Sequence, residues 1–265
     1  MILTSPGDVA FSVFGFPVYF YGIILALSCL ISVVVARYLY QFVYVDGKSD
    51  RIWDVAPFVV ILGIFGARLY YCLVNFQDYI ASPMAIFFIR EGGLSVHGGI
   101  IAGVIGLFLA SKKYDIRFLR LLDVFGVGTI LAQSFGRWGN FFNNEAFGLP
   151  TDSWLKLYIP ERYRPSEFSS YEYFQPTFLY ESLLNFLLFL FLFFVIKKFG
   201  AKYEGLTFSL YIALYAVIRF FIEGLRLDSA MNIGDLHIAQ IVSVVSFIIA
   251  LVMFFVVVFK QRAYN

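Results

Sequence analysis

Residues 119–148 read LRLLDVFGVGTILAQSFGRWGNFFNNEAFG, and the reading of this stretch decides the fold. From Leu119 to Arg137 it is largely apolar and glycine-containing, and close to the 20 or so residues a helix needs to cross a bilayer. It then crowds Arg137, Asn140, Asn143, Asn144 and Glu145 between glycines and aromatic side chains at the membrane edge. Such groups are costly to desolvate, so a charged cluster beside lipid is paired, wetted or in use.

The rest of the chain fits the same setting. It is 60% hydrophobic and 14% charged, with 33 Phe and 18 Tyr, far more apolar than an average soluble domain. About seven runs are long enough to span a bilayer, near 17–40, 52–75, 92–111, 119–137, 177–197, 205–226 and 235–259. The third and fourth carry Gly98, Gly99, Gly103, Gly106, Gly126 and Gly128, and small residues let helix backbones approach closely, which predicts a central place for these two spans. The fold class is therefore an all-α polytopic membrane protein. Residues 1–265 read as a single membrane domain with a small external head inserted at about 138–176, where Trp154, Tyr158, Tyr163, Phe168, Tyr171, Tyr173 and Phe174 mix with charge, unlike a Gly/Ser linker. A shorter external segment, 76–91, is expected to lie flat at the interface.

Lys and Arg set the orientation. Arg37, Lys48, Arg51, Lys112, Lys113, Arg117, Arg120, Lys197, Lys198, Lys202, Lys260 and Arg262 flank one side; Arg90, Lys156, Arg162, Arg164 and Arg226 flank the other. The positive-inside rule puts the first set in the cytoplasm, the amino terminus outside and the carboxyl terminus inside. The amino terminus lacks the basic region of a cleavable signal peptide, so the first span is expected to stay in the mature protein. A net charge of +2 without a dense basic tract gives no sign of nucleic-acid binding. Cys29 and Cys72 sit inside apolar runs and read as packing, and two histidines with no acidic cluster suggest no metal site.

Depth follows from a rise of about 1.5 Å per residue. Tyr21, Arg68, His97, Arg137, Tyr180, Glu181, Arg219, Glu223 and Arg226 all fall in the outer parts of their spans, with Asp235, His237 and Gln240 opening the last. Residues 100–110, 184–196, 206–218 and 241–259 hold no ionisable group apart from Tyr. One-sided polarity predicts a cavity reached from the outer leaflet above a sealed floor, whereas a channel or proton relay needs polar groups through the full depth.

Each residue also has a plainer reading. Arg219, Glu223 and Arg226 stand at i, i+4 and i+7 on one face, which is either a self-neutralising interfacial salt bridge or, with Arg137, a surplus of positive charge for an anionic headgroup. His97, in GGLSVHGG, is either a hydrogen-bonded boundary histidine or an imidazole given space by its glycines. Tyr21 fits an aromatic belt. Asn140 and Asn143 fit the turn that leaves the fourth helix. His237, in GDLHIAQ, reads as structural.

Taken together, YFYGIILAL at Tyr21, GARLYY at Arg68, EGGLSVHGG at His97, GRWGNFFNNE at Arg137, QPTFLYES at Tyr180 and RFFIEGLR at Arg219 resemble the prolipoprotein diacylglyceryl transferases of bacterial cytoplasmic membranes. Ile218 stands where that family usually has glycine before Arg-Phe, and Val96 where Phe is common before the histidine. The resemblance implies an enzyme that moves the diacylglyceryl group of phosphatidylglycerol onto the lipobox cysteine of a prolipoprotein signal peptide, forming a thioether and releasing glycerol phosphate. It implies a multi-pass protein of the bacterial cytoplasmic membrane with its active site facing the outer leaflet, and no cofactor. It assigns His97 as candidate base and Arg137 and Arg219 to the departing phosphate, with Tyr21, Asn140, Glu145, Glu223, Arg226 and Arg68 binding substrate.

Three other classes remain open on residues alone. A transporter for an anionic small molecule would use the same arginines, but such proteins often show paired repeats. An aspartyl intramembrane protease needs two facing Asp residues, and Asp123 and Asp235 fall near opposite faces. A structural scaffold leaves the outer polar cluster unexplained.

Overall fold

The structure, a computed structural model, describes residues 1–81, 83–88, 92–227, 232–233 and 236–262. Arg90, Glu91 of EGGLSVHGG and Asp235 lie outside the described residues. Among the described residues seven helices are long and apolar enough to cross a membrane: α1 Phe20–Val43, α2 Ile52–Val74, α4 Val96–Lys113, α5 Phe118–Asn143, α6 Thr177–Phe199, α7 Leu206–Glu223 and α8 Ile238–Arg262. A short α3, Phe76–Ala81, precedes α4. The chain is an all-α polytopic membrane protein, because in lipid only a helix or a closed barrel satisfies its own backbone. Three boundaries differ from the sequence reading. Pro17 belongs to strand β3 (Phe16–Tyr19), so α1 starts after it. Gly92 and Gly93 take positive φ of 90° and 74°, so α4 begins only at Val96. The fourth span was expected to end at Arg137, yet α5 stays helical to Asn143, which puts the GRWGNFFN motif on a helix and starts the head later than 138.

The chain divides into two compact units, Tyr40–Leu122 and Met1–Leu39 with Asp123–Asn265. In the first, α2 and α4 pack along a glycine seam. Gly98 lies against the Gly66 carbonyl and the Tyr70 Cβ, and Gly66 lies against Ala102, leaving no room for a side chain at either position. Asp46 accepts from Tyr40 Oη at 2.8 Å and Arg120 Nη1 at 2.9 Å, tying the chain where α1 ends to the start of α5.

In the second unit α5 is the most enclosed span, with 56% of its apolar window buried, as its glycines predict; α4, which belongs to the first unit, has only 28% of its window buried, less than expected. Gly128 lets α5 meet α1, since a Cβ there would stand 2.6 Å from the Ser32 carbonyl oxygen. The fully buried carboxylate of Asp123 accepts from Gly205 N at 2.7 Å and Phe208 N at 2.8 Å. These N–H groups open α7 and have no partner within the helix, so an α5 side chain closes the helix start. Asp123 is thereby spent on architecture.

The head is ordered. β4 (Lys156–Tyr158) pairs antiparallel with β5 (Tyr173–Phe174) and parallel with β1 (Ile2–Thr4) in register Ile2↔Lys156. Ala146, Phe147, Leu157, Ile159, Phe174 and Phe178 form its core. Burying each larger side chain is worth about 2 kcal/mol relative to exposure. Between β1 and α1, β2 (Val9–Val13) and β3 make an antiparallel hairpin.

Candidate active site

The site lies where the last turns of α5 and α7 meet the first turns of α6. The long α5 ends in a left-handed cap: Asn144 takes φ 55°, a conformation that asparagine tolerates better than other side chains, and Glu145 N returns to the Asn140 carbonyl at 3.0 Å. Ala146, also at positive φ (56°), is held there because its carbonyl accepts from Thr177 Oγ1 at 2.6 Å and Phe178 N at 3.1 Å. The motif that leaves α5 thus caps the start of α6 and fixes the two helices at this end.

The organising group is a carboxylate. Glu181, 1% exposed, accepts from Arg137 Nη2 at 2.6 Å through Oε1 and from Arg219 Nη1 at 3.2 Å through Oε2, with Tyr215 Oη 3.4 Å from Oε1. Arg219 Nη2 also pairs with Glu223, 4% exposed. The surplus positive charge inferred from the sequence is changed by this: two guanidiniums face two buried carboxylates, and the four groups neutralise one another. What the arrangement leaves open is donors. Among the described residues Arg137 spends only Nη2, so Nε and Nη1 have no protein acceptor, and both arginine side chains stay about one-fifth exposed. Buried carboxylates orient the two guanidiniums, and the Nε and Nη1 donors of Arg137 can receive an anion.

Just past the end of α5, Glu145 Oε1 accepts from Asn140 Nδ2 at 2.8 Å and Asn143 Nδ2 at 3.3 Å. Tyr21 packs its ring on Gly139, two residues past Arg137, where a Cβ would collide with it. Arg226 leaves α7, with its N–H on the Glu223 carbonyl at 3.2 Å and its backbone bridged to Gly148. His237 Nδ1 stands 3.1 Å from the Glu223 carbonyl oxygen, a structural bond that fits its plainer reading.

Arg68 and His97 belong to the Tyr40–Leu122 unit. Arg68, 7% exposed, donates to four backbone carbonyls: Ala85 at 2.6 Å, Ile86 and Gly92 at 2.8 Å, and Gly93 at 2.9 Å. Its guanidinium fastens the segment that leads into α4. His97 is exposed in the first turn of α4, its ring 6.4 Å from that of Tyr70. Among the described residues no three His, Cys, Asp or Glu side chains converge as a metal-binding group.

Glu181 and Tyr215 were not among the site residues expected from sequence. The signal for Glu181 was present: it is an acid inside an apolar span, the rule that singled out Arg219. Tyr215 gives no such signal among 18 tyrosines.

The fold and this cluster define a multi-pass membrane protein with an arginine–glutamate site at one end of its spans. Comparison with known proteins makes this specific. The family model "Prolipoprotein diacylglyceryl transferase" matches residues 8–256, and the chain belongs to that family. The phosphatidylglycerol–prolipoprotein diacylglyceryl transferase of Trichormus variabilis is 41% identical over 248 residues, covering 91% of this chain and 86% of the relative. The proteins of the same name from Clostridium botulinum (strain Langeland) and Enterococcus faecalis are 36% identical over 256 residues and 39% over 267, covering 97% and 100% of this chain and 99% and 94% of the relatives.

Proposed function

We propose that this chain transfers the diacylglyceryl group of phosphatidylglycerol to the lipobox cysteine of a prolipoprotein signal peptide. The observation that carries the reading, beside family membership, is the buried Glu181 carboxylate that holds Arg137 and Arg219 together and leaves Arg137 Nε and Nη1 without an acceptor among the described residues. The substrate thiol attacks the glyceryl carbon that bears the phosphate oxygen. The C–O bond breaks as the C–S bond forms, and glycerol phosphate departs with the bonding pair. Negative charge grows on that phosphate, where fixed donors act most strongly. Arg137 and Arg219 take this role, and Glu181 and Glu223 hold them in place without being consumed.

A free thiol has a pKa of about 8.5, so a base that removes its proton speeds attack. His97 is assigned to it, a role worth about 10²- to 10⁴-fold. Its exposure in a turn preceded by Gly92 and Gly93 leaves the imidazole accessible. Asn140 and Glu145 orient the headgroup, Tyr21 hydrogen-bonds near the reacting centre, and Arg226 adds positive charge at the end of α7. Arg68 acts through the segment it fastens, since its donors are already engaged. The protein sits in a bacterial cytoplasmic membrane with its amino terminus and head outside, its carboxyl terminus inside and this site at the outer leaflet. Lys and Arg placement supports that orientation, and both substrates meet there.

The test is purified protein in phosphatidylglycerol liposomes with a lipobox peptide, following peptide mass and glycerol phosphate release beside Arg137→Ala. A diacylglyceryl mass gain with stoichiometric release, lost in the variant, is expected. Folded wild-type protein that yields no gain with a verified peptide and lipid overturns the assignment.

A further inference from the structure

The hairpin ahead of α1 is made of residues that a water-facing strand pair does not favour. From Val9 to Ala36 the sequence holds no Asp, Glu, Lys, Arg or His, so β2, its turn and β3 run into α1 as one uncharged stretch. Val13 pairs with Phe16 across a turn in which Phe14 and Gly15 both take positive φ, 50° and 83°. Asparagine followed by glycine suits such a turn, and a bulky side chain in the first position is strained. Phe14 is also 98% exposed, so packing within the chain does not offset that strain. A strained residue kept without internal contacts points to a partner outside the chain.

The register sorts the side chains onto two faces. An irregularity between Val9 and Phe11 shifts the pairing, so that Val9 stands opposite Tyr19 and Phe11 opposite Val18. One extra residue in a strand turns the side chains beyond it to the other face. Phe11, Val13, Phe16 and Val18 therefore share one face, and Val9, Ser12, Pro17 and Tyr19 the other. The first face is wholly apolar, and Phe16 on it is 71% exposed. The hairpin is also joined closely to the site. Phe20 N donates to the Asp8 carbonyl at 2.9 Å, closing its base, and the Phe20 ring stacks on Phe142 of α5 at 4.2 Å.

We propose that Phe14 and the face of Phe11, Val13, Phe16 and Val18 form an interfacial anchor that seats on bilayer lipid at the Phe20 end of α1. Exposed apolar surface of this kind marks an interaction site, and here it continues directly into a helix that lies in lipid. The depth is set by the backbone. A two-stranded ribbon has outward N–H and C=O groups that cannot enter hydrocarbon. The hairpin therefore lies flat, its apolar face on the acyl chains and Ser12 and Tyr19 toward the polar surface. Through Phe20 and Phe142 it fixes the depth at which α5 holds Arg137, a consequence that rests on the transferase reading above.

The test places nitroxide labels singly at Phe16→Cys and Ser12→Cys in a Cys29→Ala, Cys72→Ala background, in phosphatidylglycerol vesicles. Relaxation by oxygen, which concentrates in the acyl region, is compared with relaxation by a water-soluble nickel chelate. The oxygen-to-nickel ratio is expected to be severalfold higher for the Phe16 label than for the Ser12 label. A ratio no higher at Phe16 overturns the anchor. Protection of that label from both agents, or loss of its oxygen access when a lipobox signal peptide is added, gives the face to a protein partner and overturns it as well. Phe14→Asn removes the ring but suits the turn, so it is expected to melt in detergent no lower than wild type. In liposomes it is expected to modify a lipobox peptide severalfold more slowly, and in detergent micelles, which set no fixed bilayer depth, at the wild-type rate. An equal effect in both settings, or none in either, overturns the depth role. Wild-type protein inactive in both overturns the transferase reading, while the labels alone decide the anchor.

Discussion

Glu181→Gln tests the site most directly. The substitution keeps the side-chain shape and removes the charge that Arg137 meets at 2.6 Å and Arg219 at 3.2 Å. Withdrawing one partner of a buried ion pair costs about 3–5 kcal/mol. The arginine side chains are 20% and 18% exposed, so water screens part of this, and the lower end, about 3 kcal/mol, is the better measure. About 1.4 kcal/mol is a factor of ten in rate, so a loss that falls on the phosphate-holding geometry lowers kcat/KM about 10²-fold. The assay is lipobox-peptide modification in phosphatidylglycerol liposomes, with thermal unfolding in detergent run alongside to show that the variant is folded. A folded Glu181→Gln protein within about threefold of wild type would refute the claim that this carboxylate organises the arginines.

Arg68→Lys replaces a planar fork that spans four carbonyls with a single ammonium, giving up charge-assisted bonds worth about 1.5–3 kcal/mol each. Limited proteolysis between α2 and α4 is expected to quicken about tenfold, while KM for phosphatidylglycerol stays within about twofold; a large rise in KM with unchanged proteolysis would return Arg68 to direct lipid binding. Asp123→Ala orphans the Gly205 and Phe208 N–H groups at the start of α7, at about 2 kcal/mol, which a thermal melt should register as a fall of about 4–8 °C. An unchanged melting temperature would mean that those groups find other acceptors.

Much of the site was legible because the bilayer penalises charge. An arginine, glutamate or histidine near an apolar span stands out against 14% charged residues, and the same contrast located Arg137, Arg219 and Glu223 at one end of their helices. Helix spacing alone paired Arg219 with Glu223. It did not disclose that Glu181, from a third helix, neutralises the pair, since spacing along one helix says nothing of which neighbour stands opposite. Arg68 shows the same limit: a buried arginine in an apolar span has one appearance in sequence whether its donors meet a phosphate or four carbonyls.

The fold divides in a similar way. By itself the sequence determined the all-α membrane class and the seven spans, because apolar run length is a local property that the solvent reads directly. Only the tertiary structure decided that α5 continues through the polar motif to Asn143, that Ala146 takes a positive φ, and that β1 joins β4 across some 150 residues of chain. The physical reason is shared by the last two, which depend on hydrogen bonds to distant backbone: Thr177 and Phe178 hold the Ala146 carbonyl, and Leu157 pairs with Leu3. Such bonds leave no periodic mark on the residues that make them.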